Sequence, residues 1–272
     1  MIIHPTAIID PAAELADDVE IGPYCLVGPG VKLGAGCKLL GHVALERDVT
    51  MGEGCTVHFG AVLGGPPQDN KYAGERTLVQ IGRHNIIREY VTIHRSTGEG
   101  SATVVGDHNM IMAYCHLGHN VRMGSHIMMA NSAGVSGHVV IEDRAVIGGM
   151  VGFHQYVRVG TLAMVGGMSK VTQDVPPFML VDGHPARVVG TNFRGQRRAG
   201  MNATVRDAIK QAYRILYREN RNRSEALAMI EEKLGTIAEV RYLLDFMAKP
   251  SYAGRQLDPI AEALAKEGEG GE

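Results

Sequence analysis

The chain has 272 residues, 45% of them hydrophobic, and a formal net charge of −2. That is enough to bury a large core, and the near-neutral balance gives no reason to expect a nucleic-acid partner. No apolar run approaches the roughly 20 residues of a membrane span, and the opening MIIHPTAIID lacks a basic stretch and an apolar stretch, so the expectation is a cytoplasmic protein with no integral membrane segment.

From Ile3 onward an aliphatic lead residue returns at every sixth position: Ile3, Ile9, Leu15, Ile21, Val27, Leu33 and on to Leu63. The leads resume at Ile81, Ile87 and Ile93, then run from Val105 to Val171. Both gaps are multiples of six, so neither interruption shifts the register. Four places after each lead stands a second restricted residue, usually small or β-branched, as at Val19, Cys25, Val31, Cys37, Val121 and Ala145. Glycine often follows the lead directly, as at Gly22, Gly28 and Gly148. A helix repeats near 3.6 residues and a strand at 2, so a six-residue period fits neither. It fits a solenoid in which each hexad is one short strand and a corner, with glycine expected to supply corner backbone at positive φ. Three hexads close one triangular coil, and residues 18 apart stack at about 4.8 Å. The fold class is mainly β, a left-handed parallel β-helix of hexapeptide repeats.

The four cysteines, Cys25, Cys37, Cys55 and Cys115, all fall at the small inward position and read as core hydrophobes. Two segments break the hexads, residues 65–79 (GPPQDNKYAGERTLV) and 95–104 (RSTGEGSATV). A solenoid does not need loops, so insertions that keep register point to a site or an interface. The solenoid is expected to end at Val175-Pro176-Pro177, because paired prolines cannot continue a ladder. Asp182-Gly183-His184-Pro185 then turns the chain.

From about residue 192 apolar residues follow helical spacing: Val205, Ile209, Ala212 and Leu216, then Ala226, Ile230 and Leu234, then Val240, Leu243 and Phe246. Ser224 reads as a helix start and Gly235 as a stop. The final KEGEGGE reads as a frayed end. The division is a β-helix domain over 1–190 and a C-terminal α-helical domain over 191–272. Ten basic residues against two acidic ones lie between Arg187 and Arg223. This stretch is either a solvated helix face or a docking surface for an acidic or phosphorylated partner.

Three histidine clusters stand out: His116-Leu117-Gly118-His119, Ser136-Gly137-His138 and His154-Gln155. Gly137 lies one 18-residue coil after His119, and Gln155 one coil after Gly137, so the three share an edge. Two chemistries use such a column. Neutral imidazoles hold zinc, as in the γ-type carbonic anhydrases, and one histidine can serve as general base toward a hydroxyl.

GGPPQDNKYAGE, TIHRSTGEG, HLGHNVRMG, SGHVVIED, GGMVGFHQYVRVG, SKVTQDVPPF and NFRGQRRAG together resemble the bacterial UDP-N-acetylglucosamine 3-O-acyltransferases. These are acyl carrier protein-dependent enzymes that start lipid A synthesis. The resemblance spans the chain, and the QD-x-KYAGE loop with H-x-x-H and HQ is its specific part. It implies His119 as general base and the Gly137 backbone N–H as oxyanion donor. Asp69 and Lys71 are implied as substrate contacts reaching across a subunit boundary. His116, His138, His154 and Gln155 are implied as sugar-nucleotide contacts, and Asn192 with Arg198 as contacts to the nucleotide end. Gly167 matches the acyl-chain ruler. The implied assembly is a homotrimer taking a UDP-sugar and an acyl carrier protein, whose acidity gives the basic C-terminal stretch a reason. The implied cofactor is none, the donor carrying its own phosphopantetheine, and no metal is implied.

The chain departs from the family pattern in places. Asn120 follows the base where aspartate is common, Asn70 replaces a leucine, Arg194 stands where an acid occurs, and Ala199 takes the second slot of the basic pair. A sugar nucleotide bearing a 3-amino group, acylated to an amide, is the alternative acceptor. A later N-acyltransferase would carry an added N-terminal domain. A zinc-dependent carbonic anhydrase and a structural or ice-binding β-helix are the remaining alternatives; the last predicts flat threonine ladders without loops.

Overall fold

The structure, a computed structural model, describes residues 1–249, and the KEGEGGE end lies outside them. Short parallel strands form a left-handed β-helix with three sheets of eleven, nine and eight strands among the described residues. Residues 18 apart pair, as in Ile3↔Ile21 and Leu117↔Val135. The first insertion lengthens one coil to a 30-residue offset (Leu63↔Ile93), and the second lengthens the next to 24 (Ile93↔Leu117). Twelve and six added residues are whole hexads, so the ladder continues unshifted beyond both.

The leads from Ile21 onward are buried, as are the residues four places on, such as Val19, Cys25 and Ala61. The four cysteines sit in this core as free thiols. The first coil has no coil beneath it, so Ile3 stays 40% exposed.

Apart from Gly64 (φ 81°), the glycines after the leads do not do what the sequence suggests. Positive φ occurs instead three places after the lead, at Tyr24, His42, Tyr90, Tyr114, Asn120 and His138 among others. The glycine after the lead is needed for close approach. A Cβ on Gly22 would lie 2.0 Å from the carbonyl oxygen of Leu40, and one on Gly148 would lie 2.5 Å from the backbone nitrogen of Gly167. The corner of one coil packs directly on the backbone of the next, and only a missing side chain permits it.

Pairing also runs past the paired prolines. Met179–Gly183 pairs in parallel with Met164–Val165 and turns into an antiparallel hairpin with Ala186–Thr191. Four helices follow: α1 (Phe193–Arg198), α2 (Ala203–Tyr217), α3 (Arg223–Leu234) and α4 (Ala238–Ala248). The start of α3 is capped by Asn222, whose side chain accepts from the Glu225 N–H, rather than by Ser224. Leu162, Phe178 and Met179 of the last coils pack with Ile209, Tyr213, Ile230 and Leu243 in a second core. The helices thereby close that end of the coil. No described helix is long and apolar enough to cross a membrane.

Candidate active site

On the sheet that carries Leu117, Val135 and Phe153, the outward positions stack as His116, Gly134, Gly152 and Lys170. Gly134 and Gly152 have open space where a Cβ would stand. These gaps floor a cavity of about 300 Å³ bounded by Gln68, His94, His116, His119, Gly137 and Gln155. A second cavity of about 510 Å³ continues it, sharing Ser136, Gly152, Phe153 and Gln155 and reaching His154, Met150 and Met168.

His119 is 7% exposed. Its Nδ1 lies 2.9 Å from Oδ1 of Asn120. The amide of Asn120 is oriented by backbone, since Oδ1 also accepts from the Thr97 N–H at 3.0 Å and Nδ2 donates to the Thr97 carbonyl at 3.0 Å. An amide oxygen only accepts, so Nδ1 carries the proton and the Nε2 lone pair is left free. Nε2 lies 3.9 Å from Oδ2 of Asp69, too far for a hydrogen bond. The other oxygen of Asp69 accepts from the Lys71 N–H at 3.0 Å, which fixes the loop turn.

Asp69 and His119 therefore meet within one chain. The loop folds along the coils and brings Asp69 to His119 of the same chain.

Gly137 stacks against the His119 ring so closely that a Cβ would lie 2.5 Å from Nε2. Its N–H donates to no described group, although neighbouring corner amides such as His138 N–H bond to the adjacent coil. An unpartnered N–H beside an unpartnered imidazole nitrogen is the pair that acyl transfer to a hydroxyl requires.

The other histidines differ in environment. His116 bonds Oγ1 of Thr92 at 2.8 Å, and burial, followed by the nearby His94 and His119, pushes its pKa down to about 4. His94 meets His116 edge-on and is also pushed down, first by burial. Its Nδ1 is buried without a partner. His138 lines neither cavity; it stacks on Tyr156 at 4.6 Å, abuts the His119 ring edge-on and is pushed down mainly by burial. His154 lines the larger cavity and Gln155 both.

Three expected residues stand apart from this cluster. Asn192 is 9% exposed, with Oδ1 capping α1 at the Gly195 N–H and Nδ2 bonded to the Leu162 carbonyl, so its amide is engaged within the chain. Arg198 is exposed in the last turn of α1. Gly167 is exposed but lines neither cavity, whereas the adjacent Met168 does. Sequence reasoning missed His94, Gln68 and Thr97. His94 could have been found, because it stands one place after a lead on the same sheet as Gly118. Thr97 could not, because its contact depends on how the insertion folds.

The profile of the family described as UDP-N-acetylglucosamine O-acyltransferase, domain 2, matches residues 174–255. An acyl-[acyl-carrier-protein]–UDP-N-acetylglucosamine O-acyltransferase of Synechocystis is 44% identical over 261 residues, 95% of this chain and 93% of that one. Another, of Thermodesulfovibrio yellowstonii, is 46% identical over 90% of this chain and 95% of its own. The chain belongs to this acyltransferase family. Solved relatives agree over the same extent. LpxA, a UDP-N-acetylglucosamine acyltransferase from Bacteroides fragilis, superposes with a TM-score of 0.88 at 35% identity, covering 90% of this chain and 96% of that one. The Francisella novicida UDP-N-acetylglucosamine acyltransferase gives 0.88 at 33% identity, covering 97% and 99%.

Proposed function

We propose that this chain moves a 3-hydroxyacyl group from acyl carrier protein to the 3-hydroxyl of UDP-N-acetylglucosamine, a reaction of lipid A synthesis, with His119 as general base. The observation that carries the reading is the free Nε2 of His119 beside the unpartnered Gly137 N–H, in a member of this family. Nε2 takes the proton of the sugar hydroxyl as its oxygen bonds the thioester carbon. Negative charge collects on the former carbonyl oxygen and is met by the Gly137 N–H. Collapse breaks the carbon–sulfur bond, and the imidazolium returns its proton to the phosphopantetheine sulfur. The phosphopantetheine arrives as part of the substrate, so the reaction needs no resident cofactor. Neither the amide-forming alternative nor the carbonic anhydrase gains support from the comparisons.

Asp69 and Lys71 hold the sugar from above the base, and His116, His154 and Gln155 line its path. His138 supports the ring of His119. Asn192 acts by fixing the start of α1, and Arg198 on that helix meets the diphosphate. The division into domains 1–190 and 191–272 follows these two roles.

The assembly is a homotrimer in the cytoplasm. Five side chains on one corner column support the trimer: Tyr24, Tyr90, Tyr114, Met150 and Met168, each 54–70% exposed, with His42, Gly60 and Ser132 at the intervening coils. Large exposed side chains concentrated on one edge mark an interface. The column ends at the larger cavity, so a neighbouring subunit would wall the acyl groove and bring its α1 to the nucleotide. Acyl carrier protein docks on the basic stretch from Arg187 to Arg223.

His119→Ala tests the chemistry. Turnover should fall by about 10²–10⁴-fold with the coils intact, the usual cost of a lost general base. A folded variant near wild-type kcat would remove His119 from that role.

A further inference from the structure

We infer that the second insertion is a positioning device for the base: Thr97 holds Asn120, Asn120 holds His119, and Glu75 of the first insertion holds the loop that carries Thr97. The inference rests on the reading of His119 as general base. Asn120 occupies a corner at φ 59°, a conformation that asparagine tolerates better than most residues. The N–H and hydroxyl of Thr97 both donate to its Oδ1, at 3.0 and 2.9 Å, and the Thr97 carbonyl accepts from its Nδ2 at 3.0 Å. A flipped amide would set donor against donor and acceptor against acceptor. The oxygen is thus fixed toward His119, and the imidazole is held as the Nδ1–H tautomer with Nε2 aimed at the cavity.

Thr97 is itself held. Its carbonyl also accepts from the Ser101 hydroxyl at 2.6 Å, and Glu75 accepts from the N–H groups of Gly98 and Ala73, each at 2.9 Å. The Gly98 hydrogen bond is the first cause holding the Glu75 carboxyl below its ordinary range, so the clasp stays ionised at neutral pH. Arg76 N–H to Glu99 at 3.2 Å and Gly100 N–H to the Arg76 carbonyl at 2.9 Å join the same two loops. The first insertion also bears Asp69, so one latch sets both groups that face the substrate hydroxyl. The clamp on the base is uncharged: it selects the tautomer without the imidazolium stabilisation that a carboxylate adds.

The test uses the full-length enzyme with three variants, Asn120→Gly, Asn120→Asp and Glu75→Ala. Readouts are kcat and KM, the pH profile of kcat/KM, and the His119 tautomer from nitrogen NMR. Glycine suits the positive φ and removes the amide. Asn120→Gly should lower kcat about 10–100-fold with KM changed less than twofold, and the Nε2–H tautomer should appear. Glu75→Ala should act in the same direction and less strongly. Asn120→Asp keeps the acceptor and adds a charge, so the acid limb should move up by about one pH unit. Asp69, His94, His116 and His138 also face His119 and are common to all variants, so the movement belongs to position 120. Wild-type kcat and tautomer in Asn120→Gly, or an unmoved limb in Asn120→Asp, would overturn the inference. If Asn120→Gly fails to fold, the nearly isosteric Asn120→Asp carries the test. An active His119→Ala would sink the parent reading. An inactive His119→Ala with indifferent Asn120 variants would sink the latch alone.

Discussion

Gly137→Ala probes the geometry of the site with a single added carbon. The backbone of Gly137 is not in the left-handed region, so alanine brings no conformational penalty there. The added Cβ would lie 2.5 Å from both Cε1 and Nε2 of His119. Ordinary contact needs about 3.5 Å, so the ring must retreat by about 1 Å. Retreat strains the 2.9 Å bond to Asn120 and turns Nε2 away from the hydroxyl. A misplacement of that size costs about 10²-fold in rate, or roughly 2.7 kcal/mol of barrier. The stability cost should be small, because the backbone bonds His138 N–H to His119 O and Tyr156 N–H to Gly137 O remain. Steady-state kinetics with acyl carrier thioester and sugar nucleotide, together with a melting curve, check this. The expected result is kcat down about 100-fold, a KM near wild type and a melting temperature within a few degrees. An alanine variant with unchanged kcat would show that the close stacking of Gly137 on His119 has no part in catalysis.

Mixing His119→Ala and Asp69→Ala subunits should restore no activity after verified exchange, because one chain supplies both groups to a site. Recovery above the level of either parent would place Asp69 in a neighbour's site. Gly167→Met should shift donor preference from a long, 3-hydroxymyristoyl-like chain toward shorter ones, at about 1–3 kcal/mol against the long chain. Measuring kcat/KM over a chain-length series decides it, and an unchanged profile would move the ruler, with Met168 of the cavity wall the next residue to vary. Acid should destabilise the fold between the ordinary histidine range and about pH 4. The folded pKa of His116 is depressed to about 4, so its contribution is complete above about 6.5 and lost as pH falls through 4. His94 and His138, also depressed, add in the same direction. His116→Gln should flatten the melting temperature between pH 7 and pH 4, and an unchanged slope would remove His116 from the cause.

What the sequence made legible follows from what a periodic core constrains. Every lead must point inward on every coil, so Ile21 and Val159 announce themselves across more than a hundred residues. The same arithmetic put His119, Gly137 and Gln155 on one edge. Where the cause was contact between coils, the pattern was visible and its reason was not. Glycine after the lead was plain, but its need comes from Leu40 lying over Gly22, which no local rule reveals. The insertions were legible as interruptions and illegible as shapes. Their fold depends on single bonds such as Gly98 to Glu75, so Asp69 could be matched to a role while its place 3.9 Å from His119 of the same chain could not be read. Asn192 shows the opposite case. Its residue type suits a ligand contact and a helix cap equally, and only the bonds to Gly195 and Leu162 distinguish them.

The whole-hexad lengths of the two insertions bear on how such a site can be built at all. Both loops leave the coil and rejoin it at a hexad boundary, so the later hexads keep their own register. Val105 to Val171, the second half of the core, stays buried beyond them. Twelve and six residues leave that half untouched, as the unshifted pairing of Val105 with Met123 attests. The core therefore places no demand on the sequence of the loops, which is constrained instead by the site contacts of Asp69, Glu75 and Thr97. Chemistry is thereby divided between a rigid column, which sets the distance from Gly137 to His119, and two loops, which set the tautomer and the substrate contact. A one-residue deletion within 96–101 should therefore strike the latch and leave the column standing, lowering kcat with little change in melting temperature, and a collapse of the melting temperature would refute that division.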